Sequence, residues 1–386
     1  MRNAKTASSL RPVQSILRAH ELLSAFRDSS ESLRLAELVR RTGLHKTTAF
    51  RILTTLVQCG CLAEVAGQGY QLRVQLKKRP QYRLGYALQS SEFAFSRAVA
   101  DSLQRSAAAA DIDLLLLDNR DSPRTAIKNA DIFIHEKVNL VIESQTDARV
   151  AGQISDKFRQ AGIPIIAVEI PLPGAKYFGA NNTQAGLMAG RHLARWAETH
   201  WNGAVDELLL LELPKAGQLP NARILGSLLG VLERFAGLSN RQIRVLKTNG
   251  HQEAAYEKVR EHLRKTRSRR ILVSAINDPS ALGALAAFRE AGREDQCAIT
   301  GQNASQEVHF ELQNRRSGLI GSVGYFPERY GEGVIPIALD LLAGRFVPPA
   351  TFVKHQMVTA ASFHSFYPSE ATSGKSHPQS FREIQI

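Results

Sequence analysis

Cysteine is scarce in this 386-residue chain, which holds only Cys59, Cys61 and Cys297. So few, in odd number, exclude a disulfide framework and fit a reducing compartment. Cys59 and Cys61 have no His or Cys partners at metal-ligand spacing, so both read as small fillers and no metal is expected. No run of about 18 apolar residues occurs, which removes a membrane-spanning helix. The stretch MRNAKTASSLRPVQ has no apolar core, so no secretory signal is expected and the expected location is the cytoplasm. Enzyme signatures are missing as well. No GxGxxG follows the first strand of the α/β region, and no GxSxG or HExxH is present. The GKS at Gly374 to Ser376 has Ser369 where a phosphate loop needs glycine. Neither an enzyme nor a cofactor is expected.

What is abundant is basic charge, unevenly placed. The net charge is +13, yet residues 1–80 hold 14 Lys and Arg against 5 Asp and Glu. A polyanion is the expected partner of that segment. Within it, LAELVRRTGLHKTTAFRILTTLV (Leu35 to Val57) makes two helical patterns that meet at Gly43. Ala49, Ile52, Leu53, Leu56 and Val57 fall at i, i+3, i+4, i+7, i+8, one buried stripe of a helix. The opposite face offers His45, Lys46, Thr47, Phe50, Arg51 and Thr54, side chains suited to phosphates and base edges in a major groove. An ordinary amphipathic hairpin with a solvated face is the alternative.

A helix is expected before this pair at Val13 to Phe26, with Ile16, Leu17, Leu22, Leu23 and Phe26 available for a core. After it, two extended runs flank the turn Gly67-Gln68-Gly69. Three helices and a hairpin make a winged helix over residues 10–73, its Gly67, Gln68 and Gly69 wing set against the DNA backbone. The strings SILRAHELLSAF, LAELVRRTGLHKTTAFRILTTLVQCGCL and GQGYQL resemble the DNA-binding domain of IclR-type transcription regulators. The resemblance implies double-stranded operator DNA as partner.

Residues 74–81 read as a basic linker. From Tyr82 onward, apolar strands alternate with amphipathic helices. Examples are DLLLL at Asp113 to Leu117, a helix at Ala148 to Ala161, a strand at Pro164 to Glu169 and a helix at Asn182 to Trp201. This alternation indicates a parallel α/β sheet covered on both faces. It runs through two successive sets, which suggests two lobes with ligand between them at the strand carboxyl ends. The loop KTRSRR at Lys265 to Arg270 precedes a strand and reads as solvated. The polar tail, 367–386, is expected to be disordered.

The strings GIPIIAVEIPLPGAKYFGANNTQAG, INDPSALGALAAFREAG and LIGSVGYFPERYGEGVIPIALDLLAGR resemble periplasmic sugar-binding proteins of type I. The similarity is to their ribose-binding branch and to the effector domains of LacI-type repressors. It implies a hinged clamp over 82–366, closing on a sugar. One lobe is expected at about 82–182 and 326–350, the other at about 183–325 and 351–366. By the same resemblance Phe93 and Phe95 would stack on the ligand, and Glu169, Arg223, Asn277, Asn303 and Tyr325 would bond its hydroxyls. Glu169-Ile170 stands where the family often has Asp-Arg, and Asn303 replaces an aspartate. Read from the residues alone, Phe93 and Phe95 fit a core, Arg223 a helix-surface charge, and Asn277 and Asn303 turns. The expectation is a homodimeric, sugar- or polyol-controlled transcription regulator, a repressor. A small-molecule sensor whose winged helix docks protein remains the alternative.

Overall fold

The computed structural model describes residues 13–73, 80–145, 147–368 and 382–383. The chain divides into two compact units, Met1–Pro80 and Gln81–Ile386. Most of the expected linker, residues 74–79, lies outside the described residues.

The first unit holds α1 (Gln14–Ser24), β1 (Ser32–Leu33), α2 (Leu35–Thr42), α3 (Lys46–Gln58), β2 (Leu62–Val65) and β3 (Gly69–Leu72). Gly43 ends α2 in the left-handed region at φ +69°, its N–H returned to the Val39 carbonyl, which frees the chain to turn into α3. The core is Leu22, Phe26, Leu33, Leu38, Ala49, Leu53, Leu56, Leu62, Tyr70 and Leu72. Ile16 and Leu17, expected in that core, are instead exposed; α1 is apolar on more than one face and only its Leu22 side packs inward. The wing β2–β3 is antiparallel, and β3 also pairs with β1. A side chain at Gly69 would strike the Leu33 carbonyl oxygen at 2.3 Å, so this glycine seats the wing strand against β1.

The second unit begins with β4 (Arg83–Leu88), α4 (Ala94–Ala109), β5 (Asp113–Asp118), α5 (Pro123–His135), β6 (Leu140–Glu143), α6 (Ala148–Gln160), β7 (Ile165–Val168) and β8 (Lys176–Gly179). It continues with α7 (Asn182–Trp201), β9 (Glu207–Glu212), α8 (Gln218–Leu232), β10 (Ile243–Lys247), α9 (Gln252–Leu263), β11 (Ile271–Ala275), α10 (Asp278–Glu290), β12 (Cys297–Asn303), α11 (His309–Gln313) and β13 (Leu319–Gly324). It closes with α12 (Tyr330–Leu342), β14 (Ala350–Val353), β15 (Gln356–Val358), α13 (Phe363–Phe366) and β16 (Arg382–Glu383). Two sheets result, ordered β16-β14-β8-β7-β6-β4-β5 and β10-β9-β11-β12-β13-β15. Both are parallel except where β16 and β15 join. Strands such as LVIE of β6 and IIAV of β7 are buried throughout, because helices cover both faces of the sheet.

The chain crosses between lobes after β8, after β13 and between β14 and β15. Strand β14 pairs with β8, so residues 351–353 complete the first lobe's sheet, not the second's as the sequence suggested. Helix α12 also returns to the first lobe: Gly331 N–H donates to Ser102 Oγ on α4 at 2.9 Å. Of the tail expected to be disordered, Tyr367 is ordered and its hydroxyl donates to the Ala304 carbonyl at 2.8 Å. Arg382–Glu383 pair with β14, and 369–381 and 384–386 lie outside the described residues.

Candidate functional site

In the first unit, α3 buries Ala49, Leu53 and Leu56 and turns the opposite face outward. His45, Lys46, Thr47, Phe50, Arg51 and Thr54 are all exposed, Phe50 by 52%. A half-exposed phenylalanine between cations is costly in water and suits contact with a partner. The nearby arginines of α2 are neutralised: Arg40 and Arg41 pair with Glu37, and Arg41 also with Glu31. Lys46 and Arg51 have no ion-pair partner among the described residues, so the net positive charge of this region stands on the outer face of α3. In the wing, Gly67 and Gln68 are exposed and Gly69 half-buried. The Gly67 carbonyl accepts from Arg34 at 3.3 Å.

In the second unit a cavity opens where the strands of both lobes end. Gln89, Phe93 and Phe95 come from the segment after β4, Glu169 from the end of β7, and Arg223 from α8. Asn249 and His251 follow β10, Asn277 caps α10, Asn303 ends β12, and Glu307 follows it. Six of the seven expected ligand residues therefore line one cavity. Tyr325 does not. It lies fully buried at the second crossing, its hydroxyl donating to Gln302 Oε1 at 2.7 Å and its ring 4.9 Å below the Arg223 guanidinium. Its large ring is accommodated under the arginine, not beside the cleft.

Glu169 and Arg223 face each other across the lobes. Arg223 Nη2 donates to Glu169 Oε2 at 2.6 Å, and Nε to Asn182 Oδ1 at 2.6 Å. Glu169 Oε1 accepts from the Tyr330 hydroxyl at 2.5 Å and from Ala180 N–H at 3.0 Å. Both charges are thus satisfied within the protein. Burial, with the Glu169 carboxylate close by, pushes the Tyr330 hydroxyl well above its ordinary range, so it stays a donor. Asn277 is similarly engaged: its carboxamide accepts from Ser280 N–H and donates to the Gly250 carbonyl at 2.9 Å. Asn303 differs, its carboxamide having no partner among the described residues. Glu169 and Asn303 both sit at positive φ, +63° and +109°. For non-glycine residues such a backbone costs energy and marks side chains aimed by their surroundings.

Sequence reasoning missed Gln89, Asn249, His251 and Glu307. Their position just after strands was the available signal. His251 also joins a clasp at the cavity rim, where Lys215 Nζ lies 2.7 Å from Asp121 Oδ2 and 3.3 Å from His251 Nε2. Burial pushes the Glu307 carboxyl above its ordinary value.

A second buried carboxyl lies beneath the rim. Glu143, fully buried at the end of β6, accepts one bond from Asn119 Nδ2 at 2.8 Å, while its Oε2 has none. Burial pushes it up from 4.5 to about 8, so it is protonated in the folded chain near neutrality. Between those values the folded state binds the extra proton. Stability is therefore greatest below about pH 4.5 and falls as pH rises to about 8, by at most about 1.4 kcal/mol per unit. Glu143→Gln is expected to flatten this fall in a series of denaturation curves from pH 5 to 9. An unchanged slope would show that Glu143 ionises normally.

A periplasmic binding protein domain model matches residues 84–346, and an IclR helix-turn-helix domain model matches 15–66. Comparison with curated proteins finds no match. Among solved structures, the chain is similar to an ABC transporter solute-binding protein from Bacillus halodurans with bound myo-inositol. Identity there is 20% and the TM-score 0.64, over 75% of this chain and 98% of that one. A periplasmic solute-binding protein from Actinobacillus succinogenes with bound D-allose is 18% identical, with TM-score 0.63 over 74% and 100%. One from Agrobacterium vitis with bound allitol is 16% identical, with TM-score 0.64 over 75% and 99%. At such identities the likeness establishes the fold. With two-thirds of its length matched by the first model, the chain belongs to the periplasmic binding protein domain family, here joined to an N-terminal IclR-type helix-turn-helix domain.

Proposed function

We propose that the chain is a sequence-specific DNA-binding transcription regulator, a repressor, whose DNA affinity is set by a sugar or polyol in the cavity. The observation that carries this reading is the union, in one chain, of a cationic, unpaired α3 face with a solute-binding clamp. The relatives that hold D-allose, myo-inositol and allitol support a polyhydroxyl ligand. So does the lining. Phe93 and Phe95 offer apolar faces for a ring, and Asn303, Asn277, Asn249, Gln89 and Glu307 offer donors and acceptors. In this proposal Glu169 and Arg223 meet the ligand from opposite lobes, so ligand contact favours closure. Closure then releases DNA, and a coupling of about 1–3 kcal/mol suffices. DNA as partner sets the site of action in the cytoplasm.

The test is retardation of DNA from upstream of the chain's own gene, with and without D-allose, myo-inositol or allitol. Binding is expected to weaken steeply with salt, as Lys and Arg displace counterions. Arg51→Ala is expected to cost about 1–3 kcal/mol if Arg51 reads a base, and Lys46→Ala less, with a shallower salt slope. Undiminished affinity in the Lys46, Arg51 double alanine variant would place the DNA contact elsewhere. Binding to no DNA at all would favour a sensor whose winged helix docks protein.

A further inference from the structure

Helix α8 has two distinct sides. One walls the cavity through Pro220 and Arg223. The other carries Leu219, Leu225 and Leu229, exposed by 49%, 58% and 46%. Half-buried Ala222 and Leu232 fill the same row. Positions 222, 225, 229 and 232 lie on one face of a helix, so this is a continuous apolar stripe, not scattered residues. Its end is rimmed by two Arg–Glu pairs that join α7 to α8, Arg191–Glu233 and Arg234–Glu198, at 2.7 and 2.8 Å.

We infer that this face of α8 is a homodimer contact, occupied by the same face of a second copy about a two-fold axis. The rim holds two acids and two bases, so it has no net sign with which to attract nucleic acid or a strongly charged partner. It is complementary to itself, since a rotated copy sets its arginines towards the other's glutamates. The surface is also preformed. Backbone meets backbone between α7 and α8: a Cβ at Gly186 would lie 2.0 Å from the Arg223 carbonyl oxygen, and one at Gly190 2.0 Å from that of Ser227. No side-chain ordering on α7 is needed before the stripe can dock, which lowers the cost of association. The inference deepens the proposed function, because a winged helix reading two half-sites needs two copies. Its test requires neither DNA nor sugar.

The experiment is light scattering on the full-length protein after size exclusion, across about 1–50 μM. The wild type is expected at twice the 42.5 kDa chain mass. Leu225→Glu and, separately, Leu225→Lys are expected at the chain mass, with unfolding midpoints like the wild type. An equal mixture of the two is expected to recover the dimer, as opposite charges meet across the axis; a misfolded variant could not do this. A monomeric wild type, or charged variants that remain dimeric, would overturn the assignment. Neither result would touch the DNA or ligand readings, which rest on retardation and on added sugars.

Discussion

Arg223→Ala is expected to lower the stability of the second unit by about 3–5 kcal/mol. The cause is the partner left behind. Glu169 is 8% exposed, and its Oε2 loses the guanidinium that neutralises it. Tyr330 and Ala180 N–H continue to donate to Oε1, but neither carries charge. Asn182 Oδ1 and the Tyr325 ring lose their contacts with the arginine at the same time. Both tryptophans of the chain, Trp196 and Trp201, lie in α7, so their fluorescence reports unfolding of this unit during a urea titration. A loss below about 1 kcal/mol would mean that water reaches Glu169 freely.

The pair itself is a different quantity from the cost of breaking it. Two buried ions give up hydration, and their attraction only roughly repays that. Replacing both, as Arg223→Met with Glu169→Leu, is therefore expected to recover most of the loss. What the double variant should not recover is response to D-allose, myo-inositol or allitol, because no polar group would reach the ligand from either side. This separates the structural role of the pair from its proposed binding role.

These partners explain what was legible in the sequence. The α3 stripe was, because its spacing is local and its outer face is uniformly polar but for Phe50. The depth of α1 was not, since VQSILRAHELLSAF offers apolar residues on more than one side and only packing selects Leu22 and Phe26. Continuous apolar strands such as ELLLLE at β9 announced a parallel sheet. The short KYFG of β8 did not, and neither did the return of β14 to the first lobe, which depends on pairing with a strand 170 residues away. The cavity was legible because parallel strands all end on one side. The partnering of Arg223 with Glu169 was not, because the two belong to different lobes, 54 positions apart. Tyr325 shows the same limit: its place at a crossing was readable, but not that it would lie under Arg223.

Gly190→Leu is expected to have the other largest effect, a loss of about 3 kcal/mol or more. In a solvated helix the same glycine would be a weakness, and adding a side chain would help by about 0.5–1 kcal/mol. Gly152 on α6 is such a case: nothing lies within 4 Å of a Cβ there, so Gly152→Ala is expected to stabilise. At Gly190 the Cβ alone would stand 2.0 Å from the Ser227 carbonyl oxygen and 2.8 Å from its carbon. Backbone cannot rotate aside as a side chain does, so α7 and α8 must separate. Gly226 and Gly230 on α8 face Thr183 and Leu187 of α7 equally closely, so separation at one level opens the others. It also pulls Arg223 on α8 away from Asn182 at the start of α7, whose 2.6 Å bond depends on that approach. Gly190→Ala should then already weaken response to added sugar, though position 190 does not line the cavity. Urea titration of Gly190→Ala, Gly190→Leu and Gly152→Ala measures the series. Equal stability for the Gly190 variants and the wild type would show that the helices have slack, and that α8 is not held rigidly between cavity and outer face.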